Sequence, residues 1–182
     1  MDETEQTEFE PEERIIRLTG EITEESADKC VMALHDLCAT PGPITLIISS
    51  DGGSLDDGFR IIDAMVIAKT KGCPVNTVAS GKASSMGAII FCTGDHRTMH
   101  RHTRLMIHPA YFTDENGGNT SHVDARNMML ELDYFNGKFR QLLSKMNIEP
   151  ELLDRMLRED VYLGSDEAIK YGIAHEVETD II

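Results

Sequence analysis

Three polar side chains stand where their chemistry could be used. Ser85 lies in the small-residue segment Gly81-Lys-Ala-Ser-Ser-Met-Gly-Ala88, between the β-type run Pro74–Ala79 and the apolar helical run Ile89–Cys92. A serine on a tight strand-to-helix turn exposes its hydroxyl, and the first N–H groups of the helix behind it can face whatever it attacks. A hydroxyl is a weak nucleophile until a base takes its proton. His108 offers such a base: it ends the apolar stretch Leu105-Met-Ile107 and precedes Pro109, which disfavours helix at His108 and predicts a strand end opening into a loop. A carboxylate to orient the imidazole is sought among Asp114, Asp124, Asp154, Glu159 and Asp160, and Asp160 heads the apolar stretch Val161-Tyr-Leu163. Gly52-Gly53, after the run Ile44–Ile48, can present backbone N–H groups to an oxyanion. Together these residues suggest a serine hydrolase.

Each residue also has a plainer account. Serine is a preferred helix N-cap, and on spacing alone that is the leading reading of Ser85. His108 by itself reads as a satisfied structural histidine, paired glycines suit any strand-to-helix turn, and Asp160 could be a solvated acid. Gly81-Lys82 does not open a phosphate loop, because that pattern needs Gly at 76 and Ser or Thr at 83, where Asn76 and Ala83 stand. His96, His100 and His102 cluster with Arg97 and Arg101. No HExxH accompanies them, so a solvated or interface strand is a better account than a metal site.

The elements that must position these residues can be read from periodicity. Arg14–Leu18 reads as a first strand, and Ala27, Val31, Leu34 and Cys38 recur at helical spacing, giving a helix to about Ala39. Pro41-Gly-Pro43 breaks the chain before a second strand, Ile44–Ile48, apolar without alternation as in a strand buried on both faces. A turn at 49–53 leads to a helix at about 54–70, then a strand at 74–79 and a helix at 85–92. Short strands follow near 96–100 and 103–107. This β-α-β-α-β-α order predicts an α/β fold with a largely parallel sheet. Beyond a polar loop at 109–121, Met128, Leu132, Phe135, Phe139, Leu142 and Met146 mark a long helix at about 121–146, with Met129, Leu130, Tyr134 and Leu143 widening its apolar face. A face that wide calls for burial on two sides, either in the core or against another subunit. A short helix at 150–157, a helix at 165–171 and a last strand near 173–177 complete the pattern.

Bulk properties narrow the partners. The 182 residues suit one domain, and a net charge of −15 repels a phosphate backbone, which excludes nucleic acid as an expected partner. Residues 2–13 hold seven acidic residues and read as a flexible acidic arm. No basic-then-apolar leader and no run of membrane-spanning length is present. Cys30, Cys38, Cys73 and Cys92 form no CxxC and read as buried structural thiols, which fits a reducing, cytoplasmic location.

The chain resembles the family of Clp protease proteolytic subunits (ClpP) from about residue 13 to 178. The order Ser…His…Asp differs from the chymotrypsin, subtilisin and α/β-hydrolase orders and matches this family. Arg14–Ile22 looks like its first strand, Ile48-Ser-Ser-Asp-Gly-Gly-Ser54 like its glycine turn, and Gly81–Ala88 like its nucleophile segment. Arg104–His108 looks like its histidine segment, and Asp160–Ala168 with Tyr171-Gly172 like its aspartate segment. The resemblance implies Ser85, rather than Ser84, as nucleophile, His108 as base and Asp160 as orienting acid. It implies an oxyanion hole from the N–H groups of Gly53 and Met86, and no cofactor or metal; ATP would be used by a partner. It further implies a ClpP/crotonase-like spiral of βαβ units over 14–182. Residues 121–146 would form a protruding handle helix, in heptameric rings that stack in pairs, and an AAA+ unfoldase would feed unfolded polypeptide. Asp51 stands where the family usually has Pro, Glu159 where an Arg often precedes the Asp, and Thr45 and Ile47 where aromatic residues help dock the unfoldase. Alternatives are a non-catalytic ring or scaffold subunit, a crotonase-type acyl-CoA enzyme, and a head-maturation or signal-peptide-peptidase-like protease.

Overall fold

The computed structural model describes residues 14–111 and 121–178, so the acidic arm and the Asn116-Gly-Gly118 loop lie outside the described residues. Strand β1 (Ile15–Ile22) leads through Thr23 into helix α1 (Glu24–Leu37). Thr23 and Ser26 form a reciprocal capping box at its start, so the chain turns at a defined residue. Strand β2 (Ile44–Gly53), helix α2 (Leu55–Thr70), strand β3 (Val75–Ser84) and helix α3 (Met86–Cys92) repeat the unit. Strands β4 (Arg97–His100) and β5 (Arg104–Ile107) follow. Helix α4 (His122–Leu143), helix α5 (Pro150–Met156), strand β6 (Val161–Leu163), helix α6 (Ser165–Lys170) and strand β7 (Glu176–Glu178) complete the chain.

The sheet runs in the order β1-β2-β3-β4-β7 with every neighbouring pair parallel, as the alternating pattern predicts. β3 is the decisive strand. Its first half pairs with β4 (Thr77–Ala79), and its second half leaves β4 to pair with β5 (Lys82–Ser84). The change of partner coincides with a register shift against β2, where Ile48 faces Ala79 but Ser50 faces Ala83. Extra residues at Ser80–Lys82 bend the strand, as a bulge does. Thr103, buried in the turn between β4 and β5, holds the bend: it accepts from the Gly81 N–H at 2.9 Å and donates to the Ala79 carbonyl at 3.1 Å. β5 then carries β6 as an antiparallel partner.

Some sequence expectations are corrected here. β2 extends through Gly52-Gly53 instead of stopping at Ile48, because its ladder to β1 resumes at Glu21 and Ile22 after a register shift. Only one face of β2 is fully buried: Ile44, Leu46, Ile48 and Ser50 point into the core, while Thr45, Ile47 and Ser49 are half-buried. β3 likewise runs five residues past Ala79. The last strand begins at Glu176 rather than Ile173, since the N–H groups of Ile173 and Ala174 turn back onto the Ala168 carbonyl and close helix α6.

Helix α4 resolves the two readings of its broad apolar face by position. Phe135, Phe139 and Leu143 are buried, and Phe59 of α2 stacks on Phe135 and Phe139 with ring centroids 5.6 and 6.2 Å away. The preceding part is exposed throughout, including Val123, Met129 and Leu130 at 65%, 65% and 58%. One end is therefore a core helix, and the other presents apolar surface to solvent.

Candidate active site

Four helices begin with a hydroxyl residue, and one of these hydroxyls behaves differently. The side chains of Thr23, Ser54 and Ser121 each accept a hydrogen bond from an N–H of the helix they open. Ser85 occupies the same position before α3 and makes no capping bond. Its backbone explains why. At φ 54° and ψ −127° it is the one non-glycine residue with positive φ among the described residues. Such a conformation costs about 1–3 kcal/mol and persists only when surrounding contacts impose it. Here the Ser85 N–H donates to the Met106 carbonyl at 2.7 Å, pinning the turn to β5. Across the turn, a Cβ on Gly52 would sit 2.5 Å from the Ser85 Cβ, so only glycine lets β2 come this close. The capping account of Ser85 is thereby excluded: the hydroxyl is held off its own helix. Replacing Ser85 by Gly is expected to raise stability by about 1 kcal/mol in a denaturant titration, because glycine adopts this φ without strain.

The forked sheet brings His108 to the same place. Met106 and His108 follow β3's partner strand out of the sheet, and His108 is only 8% exposed. Its Nδ1 lies 2.5 Å from the Pro109 carbonyl. A carbonyl only accepts, so the neutral ring carries its proton on Nδ1 and leaves Nε2 as the basic nitrogen. Tyr111 lies against the ring at a centroid distance of 5.0 Å. Ser85, His108 and Gly53 line one cavity of about 720 Å³, floored by Phe135 and Phe139 of α4. A groove of about 680 Å³ between β1 and α1 contains no histidine.

Asp160 is placed next to this pair without joining it. The β5–β6 ladder ends with Ile107 facing Val161, so the following residue, His108, and the preceding one, Asp160, lie at the same end of the ladder. Asp160 is exposed and does not line the cavity. Among the described residues, no hydrogen bond links Ser85 Oγ to His108 or His108 to Asp160; the Pro109 carbonyl holds Nδ1 instead.

Several supporting residues carried no signal in the sequence. Ser50 is fully buried beneath the glycine turn and accepts from the Gly52 N–H at 3.0 Å. Gly87 lets α3 approach it, since a Cβ there would lie 3.1 Å from the Ser50 Cβ. A Cβ on Gly58 would lie 2.2 Å from the Met86 side chain, so α2 seats α3 from the other side. The charge of Asp51 beside the glycine turn is answered within the nucleophile segment itself, because Lys82 Nζ pairs with it at 2.5 Å. Both side chains are largely exposed, so the pair is worth at most about 1 kcal/mol. The histidine cluster divides differently from a common strand face. His100 ends β4 and His102 lies in the following turn, while His96 contacts Glu176 at 3.3 Å. Among the described residues, no group of three His, Cys, Asp or Glu side chains is arranged to hold a metal ion.

The family model described as Clp protease matches residues 5–180 of the chain. This chain belongs to the Clp protease family. Its relatives include "ATP-dependent Clp protease proteolytic subunit 2" of Parasynechococcus marenigrum (strain WH8102), 34% identical over 172 residues that cover 91% of this chain and 83% of the relative. Subunit 1 of Prochlorococcus marinus (strain NATL2A) is 34% identical over 170 residues with the same coverage, and subunit 2 of Chlamydia pneumoniae is 31% identical over 174 residues, 92% of this chain and 81% of the relative. As a Clp protease family member with a mixed α/β, mostly parallel architecture, the chain is a peptidase-type protein. No helix among the described residues is long and apolar enough to cross a membrane.

Proposed function

We propose that this chain is a serine endopeptidase in which Ser85 attacks the scissile carbonyl and His108 Nε2 takes its proton. The observation that carries this reading is the strained, uncapped Ser85 hydroxyl sharing a cavity with a buried histidine whose Nε2 is the basic nitrogen. The tetrahedral oxyanion would rest on the N–H groups of Gly53 and Met86, the latter at the open start of α3. His108 then donates its proton to the leaving amine, and water, deprotonated by the same nitrogen, releases the acyl group from Ser85. Asp160 is the orienting acid. It takes up that role when Nδ1–H exchanges the Pro109 carbonyl for the Asp160 carboxylate, which the ladder end brings close. No cofactor enters these steps.

The exposed apolar end of α4 supports a homo-oligomer, read as heptameric rings stacked through this handle, with selectivity supplied by access to the chamber. An AAA+ unfoldase would deliver unfolded polypeptide. The four free cysteines fit a cytoplasmic setting. A fluorophosphonate probe incubated with the native assembly should form one adduct per chain, mapped to Ser85. A protein that assembles and takes up no probe would point to the second reading, a non-catalytic ring subunit, which the separation of His108 from Asp160 favours.

A further inference from the structure

The four cysteines do not share one environment. Burial pushes the thiols of Cys30 and Cys92 up to about 12, so they are inert at neutral pH. Cys38 and Cys73 differ. Cys38 caps the C-terminal end of α1 and is half-buried; Cys73 is fully buried immediately before β3. Thirty-five positions apart in sequence, they are in hydrogen-bond contact through their side chains. Independent contacts hold them there. Cys73 Sγ donates to the Thr40 carbonyl at 3.4 Å, and the Gly42 N–H donates to the Gly72 carbonyl at 3.1 Å. Arg14 closes the cluster: its guanidinium reaches Cys73 Sγ at 3.6 Å, the Gly42 carbonyl at 3.1 Å and Thr40 Oγ1 at 3.2 Å.

We propose that Cys38 and Cys73 are a modification site, a reversible dithiol–disulfide pair that staples the end of α1 to the start of β3. The oxidant is a low-molecular-weight disulfide. The more accessible Cys38 attacks first as its thiolate, forming a mixed disulfide and releasing one small thiolate. Cys73, as its thiolate, then attacks Cys38 Sγ and displaces the second small thiolate. The protein loses two electrons and two protons, and the oxidant leaves as two thiols. Arg14 and Lys71 draw the Cys38 thiol toward its thiolate. Burial and the neighbouring Cys73 outweigh them and hold it above its ordinary value, so oxidation accelerates as pH rises. The staple encloses β2 and α2 and therefore the whole glycine turn. It also replaces the thiol that Arg14 now touches where the chain enters β1.

The native full-length protein, incubated with excess oxidised glutathione at pH 8, should lose two hydrogens per chain by intact mass. Digestion without reduction should then yield a peptide linking residues 38 and 73. The cross-link should raise the thermal midpoint by roughly 5–15 °C and be undone by reductant, since closing a loop of this length restricts the unfolded chain. Cys38→Ser should abolish both effects and Cys30→Ser should leave them intact. A chain that stops at one retained glutathione on Cys38, or keeps both thiols alkylatable after prolonged oxidation, overturns the proposal. Because Cys38→Ser alters a half-buried cap while the fully buried Cys73 stays in place, its folding serves as the control for the site.

Discussion

Ser85→Ala is expected to lower peptide hydrolysis by roughly 10⁴–10⁶-fold and to remove fluorophosphonate labelling, while leaving stability within about 0.5 kcal/mol of the parent. The combination follows from what the hydroxyl does not do. In most strand-to-helix turns the serine oxygen caps the helix, and its removal costs about 1 kcal/mol. Here Ser85 makes no capping bond, and its close contact to Gly52 is through Cβ, which alanine keeps. The strained backbone is likewise retained, since alanine tolerates φ 54° no better than serine does. Steady-state turnover of a fluorogenic peptide, with a denaturant titration of the same preparation, reads both quantities. Turnover by Ser85→Ala close to that of the parent would refute the assignment of the nucleophile. A large loss of stability would instead mean that the hydroxyl has a structural partner.

Gly53→Ala is expected to be the most damaging single-methyl change in the site, destabilising the fold by about 3–5 kcal/mol. The added Cβ would lie 2.2 Å from the Ile22 carbonyl oxygen and within 3.0 Å of two further Ile22 backbone atoms. Side chains can rotate out of such a clash; the backbone of a paired strand cannot. Gly53 is also at φ +143°, where alanine is strained without any neighbour. The end of the β1–β2 ladder must therefore open, and the N–H proposed to bind the oxyanion moves with it. Gly20→Ala is the internal comparison. Gly20 has φ +80° but nothing within 4 Å of its would-be Cβ, so it should cost only about 1 kcal/mol. Urea midpoints for the two variants should differ accordingly. Equal midpoints would show that the close approach of Gly53 to β1 is not what holds the turn. In whatever fraction of Gly53→Ala stays folded, probe labelling should fall by a further ~10²–10³-fold if this N–H serves the oxyanion.

Lys82 and Thr103 show how far reading along the chain could go. Lys82 was visible as part of the small-residue segment, but its pairing with Asp51 depends on two strands meeting at a register shift. Thr103 is an ordinary polar residue in sequence. Its importance comes from being buried where two backbone groups of a bent strand lack strand partners. Cys38 and Cys73 looked like separate core thiols, each reasonable in its own helix or strand, and only the fold makes them neighbours. The end of β2 was misread for a related reason: glycine pairs signal turns locally, while a neighbouring strand can keep them in the ladder.

The sequence by itself determined the alternation of strands and helices, the parallel sheet it builds, the handle's broad apolar stripe, and the family. It also singled out Ser85, His108, Asp160 and Gly53 as candidates. These depend on local periodicity and on residue types at short spacing, which a chain displays before it folds. Only the tertiary structure decided that Ser85 is an uncapped, strained hydroxyl, that β3 changes partners to bring His108 to it, and that Asp160 stands outside the cavity with Pro109 in its place at Nδ1. Those outcomes depend on how closely backbones can approach and on which buried donors find acceptors. Such distances are set by residues far apart in the chain.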